Sequence, residues 1–316
     1  MRLSKQAAGG VNSTPFCLRT RQRNTAMRIL LTGAKGQLGR AVRDRLPDEW
    51  ELIATDSKTL DITDREAVAN MLENFQPDAV INTAAFAGSA AAEDRAARFF
   101  AVNAEGTRNL AQAAFAVGAK FVHLSSDYVF DGKSRLPYAE TDPPNPQCVY
   151  GRSKLAGELL ALAAEPATVV VRTSWIYSAH GGNFVTRLLD RAAAGDAIRL
   201  AADNAGCPTY APDLAAALIG LLRLPRFPQG LLHYCGGQAF SEYTFAQAVL
   251  QLEAERNPVF KMPELIPVPS AELHQHRNAP LYSVLDCAKA RSLGFTPGSW
   301  QKNLAETLAE CARANP

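Results

Sequence analysis

The sequence has no C-x-x-C pair among its six cysteines, which lie far apart along the 316 residues. This spacing argues against a zinc site and against a small disulfide-bonded scaffold. The chain also has no apolar run long enough to span a bilayer and no dense stripe of lysine and arginine after its first few dozen residues. We therefore expect a cytoplasmic protein with reduced thiols that binds neither membranes nor nucleic acid.

Acidic side chains are missing from the first 26 residues, although five basic ones lie there. The segment also lacks the apolar middle of a secretory signal. We interpret it as a disordered arm, or as sequence upstream of a natural start at Met27, with a transit peptide as a less favoured alternative. Residues 1–26 are therefore left out of the fold prediction.

From Met27 onward, short apolar segments alternate with segments of helical periodicity. Strands are predicted over 28–31, 51–55, 79–82, 120–124 and 168–172, and helices over 36–46, 64–75, 91–117 and 150–163. This alternation predicts an α/β fold with a Rossmann-type, doubly wound parallel sheet. We expect residues 27–175 to form the core of a dinucleotide-binding domain. Residues 176–316 would hold a smaller C-terminal substrate lobe and the remaining Rossmann elements.

A glycine-rich segment, TGAKGQLG, follows the first predicted strand directly and opens a helix. Its glycines, Gly33, Gly36 and Gly39, permit a tight turn and a close approach of the backbone to a pyrophosphate. The helix amino terminus then offers free N–H groups to the phosphates. Together with its strand–turn–helix context, the segment predicts a dinucleotide site.

Two residues give opposing signals about the cofactor. Asp56 ends the second predicted strand, where a carboxylate can bind the ribose hydroxyls of NAD. Lys35 lies inside the glycine segment, where a cation can meet the 2′-phosphate of NADP. We predict NADPH as the cofactor, with NADH as an alternative.

Three polar residues in the middle of the chain suggest a catalytic group. Tyr150 and Lys154 are four residues apart and share a helix face, while Ser126 follows the fourth predicted strand. An ammonium close to a phenol favours the phenolate, so Tyr150 can give a proton to a carbonyl oxygen as hydride reaches the carbon. Ser126 can hydrogen-bond the same oxygen, and Lys154 can also hold the nicotinamide ribose.

The strings TGAKGQLG, NTAAF, LSSDYVFDG, VYGRSKLAGE and RTSWIY together resemble the extended short-chain dehydrogenase/reductase superfamily. Within it, the chain resembles the dTDP-4-dehydrorhamnose reductase family from Met27 almost to its C-terminus. The resemblance implies reduction of the C4 ketone of dTDP-4-dehydro-β-L-rhamnose to dTDP-β-L-rhamnose by NADPH or NADH, a step in polysaccharide biosynthesis.

The resemblance also implies roles for individual residues. Cofactor phosphates would lie at Gly36, Gln37 and Leu38, the adenosine part at Asp56, Asp61 and Ile62, the cofactor channel at Ala84, Ala85 and Phe86, the nicotinamide at Tyr150 and Lys154, and the sugar at Ser126, Asp127 and Trp175. An aromatic ring such as that of Trp175 packs well against a sugar face.

Two departures from the family pattern bear on the substrate region. The family's Val-Asp is missing from residues 87–93, and Ala279-Pro280 replaces its Arg-Pro pair, with Arg277 as a candidate replacement cation for the diphosphate. Some members bind a metal at a dimer contact through a glutamate of the first helix. Ala41 occupies that place, so we predict no metal there and keep a homodimer as an option.

Two other functions stay open at this point. A binding or regulatory subunit can be built on the same fold, and so can a different nucleotide-sugar reductase or epimerase. The complete set of Ser126, Tyr150 and Lys154 favours an enzyme. An epimerase must rebind one ketone in two orientations, and nothing in the sequence indicates this.

Overall fold

The computed structural model describes residues 26–87, 93–164, 167–273 and 278–314. The predicted amino-terminal arm lies outside these residues apart from Ala26, as do Arg277 and most of the 87–93 segment. The first half of the chain contains β1 (Arg28–Thr32), α1 (Gln37–Arg43), β2 (Glu51–Thr55), α2 (Arg65–Phe75), β3 (Ala79–Asn82), α3 (Ala96–Phe100), α4 (Thr107–Val117), β4 (Lys120–Ser126), α5 (Val149–Ala164) and β5 (Val169–Thr173). The second half contains β6 (Ile176–Tyr177), α6 (Phe184–Ala194), β7 (Ile198–Ala201), β8 (Thr209–Tyr210), α7 (Ala211–Arg223), β9 (Gly230–His233), α8 (Glu242–Arg256), β10 (Leu265–Val268), α9 (Ala288–Ser292) and α10 (Trp300–Ala314).

Six parallel strands form the main sheet, in the order β2-β1-β3-β4-β5-β9. The predicted Rossmann-type parallel sheet is therefore confirmed. The direction of winding reverses between β1 and β3, and in open α/β sheets ligands bind at the carboxyl ends of the strands at this point. The segments that follow β1 and β3 are thus brought to one crevice.

Alternating side chains of the central strands bury both faces of the sheet. Ile29 and Leu31 of β1 point into a core shared with α1 and α7, whereas Leu30 points into a core shared with α2 and α4. All three residues are fully buried. Because both faces are covered by helices, the strands read as continuous apolar runs, which is why the sequence located them well.

The second half of the chain contributes to two structures. β9 joins the main sheet beside β5, and α7 packs against α1. The parallel pair β7–β10 and helices α6, α8 and α10 form a separate core around Leu188, Phe245 and Leu304. No helix within the described residues has the length and apolar character needed to cross a membrane.

The helix predicted over 91–117 is interrupted, which corrects the prediction. After a 3₁₀ turn at Glu93–Arg95 and α3, a π-helical turn at Ala101–Gly106 precedes α4. A Cβ on Gly106 would lie 2.6 Å from Cγ1 of Ile62, so the turn packs directly on that side chain. Asn103 in the turn donates to the Phe86 carbonyl (3.0 Å) and to Ser153 Oγ (2.9 Å). These contacts come from distant parts of the chain, and helical periodicity carries no signal of them.

A buried ion pair joins α5 to β5. Arg172 donates from Nε to Glu158 Oε1 (2.9 Å) and from Nη2 to Oε2 (2.7 Å), and both side chains are almost completely buried. The guanidinium also lies 5.1 Å from the centroid of the Phe130 ring. If one partner of such a buried bidentate pair is removed, the other charge stays buried without a counter-charge, which destabilises the folded state.

We expect Glu158→Gln to destabilise the protein by about 3–5 kcal/mol, because it leaves the Arg172 guanidinium buried without its counter-charge. Urea unfolding followed by circular dichroism measures the loss. Glu51→Gln is the matched control, since it breaks a pair with Arg28 in which the Glu51 side chain is 53% exposed. The control should cost less than about 1 kcal/mol. Equal losses in the two variants would contradict the interpretation.

Candidate active site

Backbone segments meet closely where the sheet reverses its winding. Gly33 follows β1 with a φ of +72°, and a Cβ there would lie 2.6 Å from the backbone nitrogen of Ala84, just past β3. A Cβ on Gly39 in α1 would lie 2.2 Å from the Gly33 carbonyl oxygen. Turn, strand end and helix can therefore pack together only because these two positions lack side chains.

A cavity of about 340 Å³ opens beside this turn. Of the residues predicted to bind the cofactor, it is lined by Gly33, Lys35, Gly36, Asp56, Asp61, Ile62, Ala84, Ala85 and Phe86. The structure thus brings together residues from the ends of three neighbouring strands. Its glycine turn and small side chains allow a dinucleotide to approach the backbone closely, as binding of such a cofactor requires.

Three predicted cofactor residues of the glycine segment do not line this cavity. The Leu38 side chain is buried in the core beneath α1, and Gly39 packs under the turn. Gln37 accepts a hydrogen bond from Ser178 Oγ (3.3 Å), so its side chain reaches toward the second half of the chain. A contact of Gln37 or Leu38 with phosphates through backbone N–H groups stays a prediction.

Lys35 and Asp56, whose signals opposed each other in the sequence, form an ion pair at the cavity. Asp56 also accepts backbone hydrogen bonds from Lys58 (2.9 Å) and Thr59 (3.1 Å). The hydrogen bond from Lys35, followed by that from Lys58, lowers the pKa of Asp56 to about 2. Neither charge faces the cavity alone, so a ligand at this edge meets both.

Arg98 of α3 lines the same cavity and was missed in the sequence. Its guanidinium lies 5.8 Å from the centroid of the Phe86 ring. Asp61 nearby accepts hydrogen bonds from the backbone and hydroxyl of Thr63, which lower the pKa of its carboxyl. No motif marks Arg98, because only the packing of α3 against the strand ends brings it to the cavity.

A second cavity, of about 350 Å³, adjoins the first, since Ala85 lines both. Ser126, Asp127, Tyr150, Lys154 and Trp175 line it, all of which were predicted as catalytic or substrate-binding residues. Residues separated by 49 positions thus face one space. The glycine turn and the Ser–Tyr–Lys group lie in one continuous crevice.

Tyr150 is held at the start of α5 by aromatic side chains and by Ser126. Its ring contacts those of Tyr128 and Phe99 edge-on, with centroid distances of 5.5 and 6.2 Å. Burial raises the pKa of Tyr150 to about 12, and the hydrogen bond with Ser126 opposes this shift. Burial also raises the pKa of Asp127, which accepts from Ser126 Oγ (2.9 Å), to about 6. Tyr150 is therefore a protonated donor in the absence of another charge.

Lys154 lies one turn further along α5 and is 2% exposed. Its Nζ donates to the Leu124 carbonyl of β4 over 2.6 Å. Burial lowers the pKa of Lys154 to about 8, although the charge of Glu158 opposes the shift. An ammonium held here can favour the Tyr150 phenolate and so assist proton transfer.

Trp175 is placed by an unusual backbone conformation. Its φ is +44°, in the left-handed region that non-glycine residues rarely adopt. A Cβ on Gly206 would lie 2.4 Å from the indole Cε2, so the ring rests directly on that glycine. Strained backbone of this kind is concentrated at ligand sites.

Arg187 and Asn103 are two further residues of the site that the sequence did not reveal. Arg187 of α6 lines the second cavity and donates to the Gly182 carbonyl (3.1 Å). Asn103 joins the Phe86 backbone to Ser153 in α5. Neither lies within one of the sequence motifs, so only an alignment or the folded structure could find them. The described residues contain no group of three or more His, Cys, Asp or Glu side chains that could hold a metal.

The parallel sheet, the glycine turn and the adjoining Ser126–Tyr150–Lys154 group define a nicotinamide-dependent oxidoreductase of the short-chain dehydrogenase/reductase type. The family model described as "RmlD substrate binding domain" matches residues 27–313. The chain therefore belongs to this family, and the family resemblance in the sequence is confirmed.

Known proteins resemble the chain over nearly all of this range. A dTDP-4-dehydrorhamnose reductase of Aggregatibacter actinomycetemcomitans is 35% identical over 289 residues, which cover 89% of this chain and 98% of that protein. A protein of Streptomyces antibioticus named probable dTDP-4,6-dihydroxy-2-methyloxan-3-one 4-ketoreductase is 36% identical, with 91% and 97% covered. The crystal structure of dTDP-4-dehydrorhamnose reductase from Bacillus anthracis in complex with NADP superposes with a TM-score of 0.83 at 32% identity, and covers 90% of this chain and 99% of that one.

We expect Gly206→Ala to displace the Trp175 ring, because the added methyl group would overlap the indole. The fluorescence emission of Trp175 should shift. Its contribution is obtained by subtracting the spectrum of the corresponding protein that also carries Trp175→Phe. Gly237→Ala is the matched control, since the nearest atom to its added Cβ is 3.7 Å away. An unchanged Trp175 emission in folded Gly206→Ala would show that the ring is not held by this contact.

Proposed function

We propose that this chain reduces the C4 ketone of dTDP-4-dehydro-β-L-rhamnose to dTDP-β-L-rhamnose with a hydride from NADPH. The observation that carries the proposal is the shared crevice: Ser126, Tyr150 and Lys154 line a cavity that adjoins the glycine-turn cavity at Ala85. Hydride donor and ketone can therefore meet beside a proton donor.

The residues of the chain supply the proton and the groups that assist its transfer. When bound, the nicotinamide supplies the hydride to the ketone carbon. Tyr150 donates its proton to the ketone oxygen, and Ser126 donates a hydrogen bond to the same oxygen. The Lys154 ammonium and the nicotinamide's positive charge stabilise the resulting phenolate, which recovers its proton from solvent. These roles need all three side chains, which favours an enzyme over a regulatory subunit.

The substrate end of the crevice has the features that a nucleotide sugar requires. Trp175 offers an apolar ring to a sugar face. Arg187 is the exposed cation among the residues described there, and we assign it to the diphosphate. Asp127 beside Ser126 can accept from a sugar hydroxyl.

The main test incubates the protein with NADPH and freshly prepared dTDP-4-dehydro-β-L-rhamnose and follows the loss of NADPH absorbance. Turnover to dTDP-β-L-rhamnose is expected. Tyr150→Phe should lower kcat by about 10²–10⁴-fold, because it removes the general acid. NADPH affinity should change little. Full activity in Tyr150→Phe, or no turnover by folded protein that binds NADPH, would contradict the proposal.

NADPH is the favoured cofactor because Lys35 lies at the cavity edge and can meet a 2′-phosphate. We expect Lys35→Ala to raise the KM for NADPH by about tenfold or more, the loss of a charge-assisted hydrogen bond. The KM for NADH should change little, since NADH has no 2′-phosphate for Lys35 to bind. Lys58→Ala is the control, because Lys58 is exposed and does not line the cavity. Equal effects on both cofactors would assign the preference to other residues.

A different dTDP-sugar 4-ketoreductase is the second candidate, favoured by the similarity to the Streptomyces antibioticus protein. The departures at 87–93 and Ala279-Pro280 lie in the segments expected near the sugar. Competition between dTDP-4-dehydro-sugars in the same assay separates the two functions. An epimerase would return the ketone substrate without consuming NADPH.

We further propose that residues 27–175 form the core of the cofactor domain, and that the lobe around α6, α8 and α10 carries the substrate. A homodimer and a cytoplasmic location remain predictions from the sequence. Sedimentation of the purified protein measures its oligomeric state, and fractionation of the cells that make it measures its location.

A further inference from the structure

A chain of buried polar groups runs from β1 to the catalytic helix. Thr32 Oγ1 lies 2.7 Å from Asn82 Oδ1, Asn82 Nδ2 lies 3.1 Å from His123 Nδ1, and His123 Nε2 lies 3.4 Å from Lys154 Nζ. Each of these side chains is at most 2% exposed. The first three residues lie on adjacent strands and have no role in the chemistry described above.

The orientation of the Asn82 amide is determined by its neighbours. Its Oδ1 lies 3.1 Å from the backbone nitrogen of Ala84, which can only donate. Its Nδ2 lies 3.4 Å from Thr107 Oγ1, and that hydroxyl uses its proton on the Asn103 carbonyl (2.9 Å). Oxygen and nitrogen of the amide are therefore assigned independently from both ends.

This orientation selects the tautomer of His123. Because Asn82 donates to His123 Nδ1, that nitrogen must be bare. Burial, followed by the charge of Lys154, lowers the pKa of His123 well below its usual value, so the ring is neutral. The single ring proton then lies on Nε2, on the side that faces Lys154.

The Nε2–H of His123 faces Nζ of Lys154. When Lys154 is protonated, its Nζ can only donate hydrogen bonds. Donor opposite donor disfavours the ammonium form and adds to the effect of burial on Lys154. Ionisable groups near Lys154 among the described residues include Glu158, which is paired with Arg172 of β5, Tyr150 on the same helix, and Asp127 and Tyr128 in the 3₁₀ turn after β4. Glu105 and Arg108, after α3, pair with each other near the surface.

We propose that His123 is a positioning residue of the active site: Asn82 holds it as the Nε2–H tautomer, and its N–H weakens the hold of Lys154 on a proton. The kinetic consequence rests on the proposed function. The tautomer and its effect on Lys154 do not, and they can be measured without substrate.

The first experiment reads the tautomer directly. Nitrogen NMR of the full chain with labelled histidine rings, near neutral pH, should show His123 protonated on Nε2 and bare on Nδ1. The signal missing from His123→Asn assigns the resonance. A ring protonated on Nδ1, or on both nitrogens, would overturn the proposal.

The second experiment removes the N–H that faces Lys154. His123→Asn keeps an acceptor near Asn82 and deletes Nε2, and His123→Gln places an amide oxygen opposite the lysine. Both should raise the pKa of Lys154, read from a pH titration of its Cε by carbon NMR, by about half a unit or more. The alkaline limb of kcat/KM should move to higher pH in the same direction.

His233→Asn is the matched control, since His233 is a second fully buried histidine and is bound to the Tyr138 carbonyl (3.0 Å). It should cost stability without moving the Lys154 titration. An unchanged Lys154 titration in a folded His123 variant would reduce His123 to a packing role. If neither variant folds, the tautomer of His123 measured in the wild-type protein tests the proposal. Absence of reductase activity with the expected tautomer and shift would contradict only the proposed function.

Discussion

The burial of one lysine between α5 and β4 is the constraint on which the rest of the site depends. An ammonium taken out of water must be hydrogen-bonded, and Lys154 donates to the Leu124 carbonyl. Its helix also packs closely on the π-helical turn because Gly157 lacks a side chain, and a Cβ there would lie 2.1 Å from the Asn103 carbonyl oxygen. The pair of Glu158 and Arg172 holds the same helix against β5. The proton chemistry proposed for Tyr150 thus depends on how closely α5 packs.

The reversal of winding between β1 and β3 joins this helix to the cofactor cavity. Small backbone segments after β1 and β3 leave room beside Gly33, and Ala85 separates that room from the one lined by Tyr150. Asn103 connects the segment after β3 to α5 through hydrogen bonds with the Phe86 backbone and with Ser153. The same hydrogen-bonded elements therefore support both cavities. The geometry of hydride and proton transfer is therefore a property of the sheet edge as a whole.

Prediction from the sequence succeeded where local pattern and tertiary structure agree. Apolar runs located the first five strands, and the spacing of Tyr150 and Lys154 placed both on one face of a helix that the structure contains. It failed where a distant contact changes the local geometry. The π-helical turn at Ala101–Gly106 accommodates Ile62, and the left-handed backbone of Trp175 accompanies its contact with Gly206. Neither partner is near in sequence.

By itself, the sequence determined the order of strands and helices as far as β5, the glycine turn and the three side chains proposed to carry the proton chemistry, because each of these follows from residue type and short spacing. Only the tertiary structure decided that Lys35 neutralises Asp56, that Arg98 and Arg187 reach the two cavities, and that an amide on β3 orients a histidine on β4 toward Lys154. Ion pairs and hydrogen bonds act over a few ångströms in space, and the fold alone brings together residues that lie tens of positions apart.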